Sequence, residues 1–170
     1  MYLKSNNLEY LCLSENKIEN LRLDTPNLKS LNLLSNKLKE FNTDISNLKK
    51  LEELRWSSDY LETLDISMPS LKVLFLGGNG LKSICLSTPN LNKLNLNLND
   101  LKIFDFDSSN LGNLEILYLS RNKLKSVCLN MPSLKKLDLS SNELNNIDIN
   151  TPNIVELNLE NNNFKDLRLE

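Results

Sequence analysis

From Leu8 onward the chain repeats itself. The string Leu8-x-x-Leu11-x-Leu13-x-x-Asn16-x-Ile18-x-x-Leu21-x-Leu23-x-x-Pro26-Asn27 begins again at Leu28, 20 residues later, and returns at Leu51, Leu71, Leu91, Leu114, Leu134 and Ile154. Two units, 28–50 and 91–113, carry three extra residues each. Asparagine holds the ninth place as Asn16, Asn36, Asn79, Asn99, Asn122, Asn142 and Asn162, with Asp59 as the one departure. The last unit is cut short, and Met1 and Leu3 fall where Leu21 and Leu23 fall one unit later. A unit this small cannot bury its own leucines. Stacked units share a continuous interior, so stability becomes a sum of unit and nearest-neighbour terms. The period therefore predicts one solenoid domain over residues 1–170, with truncated units at both ends.

Each place in the unit has a physical reason. Alternation over Tyr10-Leu11-Cys12-Leu13 has period two, which points Leu11 and Leu13 inward and Tyr10 and Cys12 outward. The chain must then turn, and the ninth-place amide can satisfy backbone groups that the turn would otherwise bury unpaired. The equivalent amides are expected to stack as a ladder. A second alternation, Leu21-Arg22-Leu23, recurs as Leu64-Asp65-Ile66, Ile84-Cys85-Leu86, Val127-Cys128-Leu129 and Ile147-Asp148-Ile149, which predicts a short strand on the opposite face. Pro26, Pro69, Pro89, Pro132 and Pro152 help the chain turn back, having a fixed φ and no amide hydrogen to satisfy. Twenty residues leave no room for a full helix. In the two longer units, 45–50 and 108–113 replace the proline segment and have room for a helical or 3₁₀ turn. One long unit after every two short ones suggests an ancestral block of 63 residues.

The pattern L-x-x-L-x-L-x-x-N-x-L, eight times in register, resembles the leucine-rich repeat over essentially the whole chain. The resemblance implies a solenoid of the α/β class by convention but mainly β here. It would be a curved right-handed superhelix with a parallel concave sheet, short convex strands and turns, and little helix. The short unit is similar to bacterial-type repeats of secreted effectors and internalin-like proteins. Its proline, however, comes later than the Leu-Pro pair usual in effector repeats, and the flanking disulfide modules of secreted eukaryotic types are absent. What the resemblance implies for function is a protein–protein interaction scaffold, or adaptor, that binds its partner on the concave strand face.

Two columns of side chains point outward from that face: Tyr10, Ser30, Glu53, Val73, Lys93, Ile116, Lys136 and Glu156, and Cys12, Asn32, Arg55, Phe75, Asn95, Tyr118, Asp138 and Asn158. Most are polar, as a solvated sheet face requires. Arg55, Val73, Phe75, Lys93, Asn95, Ile116 and Tyr118 form the candidate contact surface, because aromatic and Arg residues near the centre of a patch are typical anchors. The competing reading is that β-branched and aromatic residues simply suit strands and support one another across the sheet. Gly77 and Gly78 either leave a notch beside Phe75 or ease the turn at Gly77-Gly78-Asn79-Gly80. Trp56 stands at an inward leucine place and is expected in the core.

Composition removes several function classes. With no histidine there is no Ser-His or Cys-His pair and no imidazole metal ligand. Asp65, Asp105 and Asp148 share a place but lie two units apart on the convex side, where solvated charge is the expectation. No phosphate-binding loop follows Gly80, so no catalytic residue, metal or cofactor is assigned, and the chain is expected not to be an enzyme. A net charge of −2, spread without blocks, argues against nucleic acid. No apolar run approaches membrane-spanning length, and the N-terminus lacks a signal-peptide core. Cys85 and Cys128 fall two units apart, roughly 10 Å by strand spacing and beyond bridging reach, and Cys12 lies on another strand. Free thiols favour a reducing, cytoplasmic setting, or delivery into a host cell if the chain is an effector. Two alternatives remain: a self-assembling element that dimerises through exposed terminal repeats, or the substrate-recognition part of a larger enzyme. The partner's identity is not encoded in the repeat.

Overall fold

In the complete short units both period-two alternations become strands. A computed structural model of the chain describes residues 1–38, 47–58, 61–105 and 111–166. Its strands, in chain order, are β1 (Tyr2–Lys4), β2 (Tyr10–Cys12), β3 (Arg22–Asp24), β4 (Ser30–Leu33), β5 (Glu53–Trp56), β6 (Thr63–Ser67) and β7 (Val73–Phe75), followed by β8 (Ser83–Ser87), β9 (Lys93–Asn95), β10 (Ile116–Tyr118), β11 (Ser126–Asn130), β12 (Lys136–Asp138), β13 (Asn146–Asn150) and β14 (Glu156–Asn158). One strand from each unit joins a single eight-stranded front sheet, in the order β2-β4-β5-β7-β9-β10-β12-β14. Every pairing is parallel, and each residue faces its counterpart one unit on, as in Leu31↔Leu54 and Leu74↔Leu94. The fold is thus a parallel β-solenoid. Among the described residues no helix is long and apolar enough to cross a membrane.

Behind this sheet lie the second strands of the units. Among the described residues these strands pair β1 with β3, β6 with β8 and β11 with β13. Between these pairs, residues 39–46 and 106–110 of the two long units lie outside the described residues. The closing turns recur from unit to unit. Thr25, Met68, Thr88, Met131 and Thr151, all buried, accept a hydrogen bond three residues on from the amides of Leu28, Leu71, Leu91, Leu134 and Ile154. Proline fills the second position of each turn, where its fixed φ fits. The long units keep this turn without proline, through Leu51 N–H to Leu48 O and Leu114 N–H to Leu111 O, each 3.0 Å. The extra residues therefore precede the turn instead of replacing it. Asn47 ends in a 3₁₀ turn and Leu111 in a helical one; residues 45–46 and 108–110 of the expected turns lie outside the described residues.

Leucines from all units form one continuous core, in which Trp56 is fully buried between Leu33 and Leu76 of the neighbouring rungs. The ninth-place amides stitch the turns together. Asn99 Nδ2 donates to the carbonyls of Leu76 and Leu96, both at 2.9 Å, and its Oδ1 accepts from Leu81 N–H at 2.9 Å. Asn36, Asn122, Asn142 and Asn162 repeat this bridge between their own turn and the preceding one. Asn79 does the same across to Trp56 O, while Asn16 bonds only within its own turn, to Leu13 O and Ser14 O. Asp59 lies outside the described residues.

Candidate functional site

The front face takes its relief from which unit supplies which side chain. At the second outward place, Asn32, Asn95, Asp138 and Asn158 each turn a side-chain oxygen back to the amide two residues on, at 3.0–3.1 Å. These residues stay low. Arg55, Phe75 and Tyr118 have no such local bond to make and extend along the sheet instead. Asn95 lies in register between Phe75 and Tyr118, so its short, tied-down side chain leaves a gap between the two rings. Gly77 helps to keep that gap: a Cβ there would come within 3.3 Å of Asn95 Oδ1 and of Asn97 O. Gly78 and Gly80 hold φ near +75°, a turn requirement, with open space around them. The glycines thus serve close approach and turning, and no notch needs to be invoked.

Lys93 fills the gap. It pairs in register with Val73 on one side and Ile116 on the other, and its ammonium reaches 5.2 Å from the centre of the Phe75 ring and 5.6 Å from that of Tyr118. Arg55 lies over the other side of Phe75 at 4.4 Å, and Lys136 over Tyr118 at 5.9 Å. Cation and aromatic ring thus alternate across five rungs, Arg55–Phe75–Lys93–Tyr118–Lys136. Each contact contributes about 0.5–1 kcal/mol where solvent reaches it. The outer cations are also ion-paired: Arg55 Nε with Glu53 Oε1 at 2.5 Å, and Lys136 with Glu156. The Glu156 hydrogen bond holds the Lys136 ammonium above its usual range. Among the described residues Lys93 has no carboxylate partner.

All seven residues of the expected contact surface lie on this face, and the stripe runs one rung further, to Lys136. The expectation that Val73, Phe75, Ile116 and Tyr118 stand exposed needs correction: they are half-buried, because neighbouring rungs cover their flanks. Tyr10 and Cys12, on the first rung, are exposed. Leu98, on the rim of the Lys93 unit, is 53% exposed and holds φ of +58°, an unusual combination for a branched apolar residue.

Two further polar columns were not apparent from the sequence pattern. Asn27, Ser70, Asn90, Asn113, Ser133 and Asn153 each donate from the side chain to a carbonyl of the preceding unit, at 2.7–2.9 Å. The recurring Pro-Asn and Pro-Ser pairs carry that signal. Along the front rim, Lys29–Glu9, Lys72–Glu52 and Lys135–Glu115 pair rung to rung at 2.8–2.9 Å. The thiols of Cys12, Cys85 and Cys128 are free and exposed. Cys85 and Cys128 stand on different back sheets, each opposite an aspartate, Asp65 and Asp148. A hydrogen bond with Ser14 holds the Cys12 thiol below its usual range. Among the described residues no three Cys, Asp or Glu side chains converge as a metal site, and Asp105 is exposed.

The family model described as Leucine Rich Repeat matches residues 133–152. That span is one unit of the period, seen in a chain whose other units share its leucines, its register and its stacking. The chain is a leucine-rich-repeat protein. No curated protein matches it. Leucine-rich-repeat solenoids generally serve as interaction scaffolds, since stacked units present an extended strand surface. In this leucine-rich-repeat protein the rungs from β5 to β12 give that surface its aromatic and cationic character.

Proposed function

We propose that this protein is a non-catalytic scaffold that holds a protein partner on the outer face of its eight-stranded sheet, centred on Phe75, Lys93 and Tyr118. The supporting observation is the alternating cation–aromatic stripe, which gathers Arg55, Phe75 and Tyr118 on the middle rungs of the sheet. Aromatic and Arg side chains surrounded by smaller contacts are the usual anchors of protein interfaces. Strand propensity alone accounts for Val73 and Ile116 but gives no reason for two rings and three cations to share adjacent rungs. The non-catalytic part rests on the absence of histidine from the sequence.

The test is capture from lysate by the immobilised chain and by its Phe75→Ala/Tyr118→Ala variant, followed by mass spectrometry. The variant is expected to lose specifically retained protein while losing no more than about 2 kcal/mol of stability, since both rings are half-buried. Equal retention by the folded variant rejects this face.

A further inference from the structure

The stripe constrains what its partner carries. Three cations stand on it, and two are neutralised within the chain, Arg55 by Glu53 and Lys136 by Glu156. The third, Lys93, sits at the centre in a frame of Val73, Ile116, Phe75, Tyr118 and the short Asn95. Ring faces attract an ammonium, but they do not replace a counter-ion once water is removed. A partner that covers this frame with apolar surface alone buries a charge without a partner, which costs several kcal/mol. One that brings a carboxylate to Lys93 forms a charge-assisted hydrogen bond in a site already shielded by two rings.

Resting on the proposed use of this face, we infer that its occupant is an extended acidic segment of the partner protein, with one Asp or Glu carboxylate on Lys93 and apolar side chains on Val73–Phe75 and Ile116–Tyr118. One unpaired cation calls for one anion. A nucleic acid would present a row of phosphates to a face with no row of free cations to meet it. A second copy of this chain, placed face to face about Lys93, would bring another unpaired lysine against the first. An extended chain advances about 3.3 Å per residue and alternates its side chains, so residues two before and two after the acid share its face. With rungs about 4.8 Å apart, such a segment crosses the strands obliquely and sets its apolar residues on the neighbouring rungs.

The test uses the isotope-labelled full chain and two capped nine-residue peptides. Each has leucine and phenylalanine two positions either side of a central residue and is otherwise serine and threonine; the central residue is glutamate in one and glutamine in the other. Backbone and lysine side-chain NMR signals are followed through each titration. The glutamate peptide is expected to shift residues 73–75, 93–95 and 116–118 and the Lys93 ammonium, and to bind at least about tenfold tighter than the glutamine peptide. Lys93→Met should abolish that preference and Lys93→Arg retain it, while Lys102→Met, at an exposed residue outside the front sheet, leaves it unchanged. Equal binding of both peptides at these rungs overturns the acidic requirement yet leaves the face standing as a binding surface. No shift at these rungs with either peptide also overturns the inference, and the face is then judged by the capture experiment alone.

Discussion

Replacing Asn99 by alanine removes five hydrogen bonds, yet the cost is set by how few groups they leave stranded. The side chain donates to Leu76 O, Leu96 O and Asn97 O and accepts from Leu81 N–H and, at 3.3 Å, from Asn79 N–H. Two of the carbonyls are shared along the ladder: Leu76 O also accepts from Asn79 Nδ2 at 2.7 Å, and Leu96 O from Asn122 Nδ2 at 2.9 Å. Those remain satisfied. The Leu81 amide, in a fully buried residue, loses its partner, and the long bond to Asn79 N–H goes with it. At about 1–3 kcal/mol for a stranded buried group plus a smaller amount for the weak bond, Asn99→Ala should cost about 2–4 kcal/mol. Asn16→Ala is the control, since that exposed amide bonds only within its own turn, and it should cost less than about 1 kcal/mol. Urea denaturation of both variants measures the difference, and hydrogen exchange at the Leu81 amide should accelerate selectively in the first. Equal losses in the two variants, or an unchanged Leu81 exchange rate, would refute the claim that sharing protects carbonyls but not amides.

Trp56→Ala should cost about 3–5 kcal/mol by emptying a fully buried indole site; because the chain has one tryptophan, wild-type unfolding should appear as a red shift of its emission. Leu98→Asn should raise stability by about 0.5–1 kcal/mol in thermal melts, since leucine resists φ of +58° and asparagine, already at φ of +53° as Asn161, tolerates it. Lys123 and Lys135 hold the carboxyls of Asp100 and Glu115 below their usual 3.8 and 4.5, so this contribution is complete above those values and fades as pH falls through the lower folded ones. Lys29 and Lys136 are raised above 10.5 by Glu9 and Glu156, so theirs is complete below 10.5 and fades as pH climbs through the higher folded values. With Cys12 replaced by serine, which removes the thiol that titrates inside this window, melting temperature should be flat between about pH 5 and 10 and decline gently outside, with smaller declines near 1 M salt, where the screening length is about 3 Å.

The solenoid was readable in the sequence because its determinants are local and repeated. The places of Leu11, Leu13 and Asn16 recur from unit to unit, so the period ties strand, turn and stacking direction together. Period two likewise placed Phe75, Lys93 and Tyr118 on one face. What the pattern did not contain was how they meet. Lys93 lies between rings on two other rungs, an outcome of side-chain reach, of Asn95 folding back on the Asn97 amide, and of Gly77 lacking a Cβ beside it. Half-burial of the rings follows from those same neighbours. The column of Pro-Asn and Pro-Ser pairs is visible in the sequence, but the turn alone accounts for such a pair, and nothing within one unit shows that its side chain bonds to the preceding one.

The order of two short units to each long one sets a rule for how such a chain can grow. Thr25, Thr88 and Thr151 stand 63 residues apart, as do Met68 and Met131. Inserting a single short unit would preserve the front register but give some rungs a short neighbour where they now have a long one. Adding or removing a whole block of three would leave every surviving rung with the same kind of neighbour on both sides, so length is adjustable in coarse steps at little structural cost.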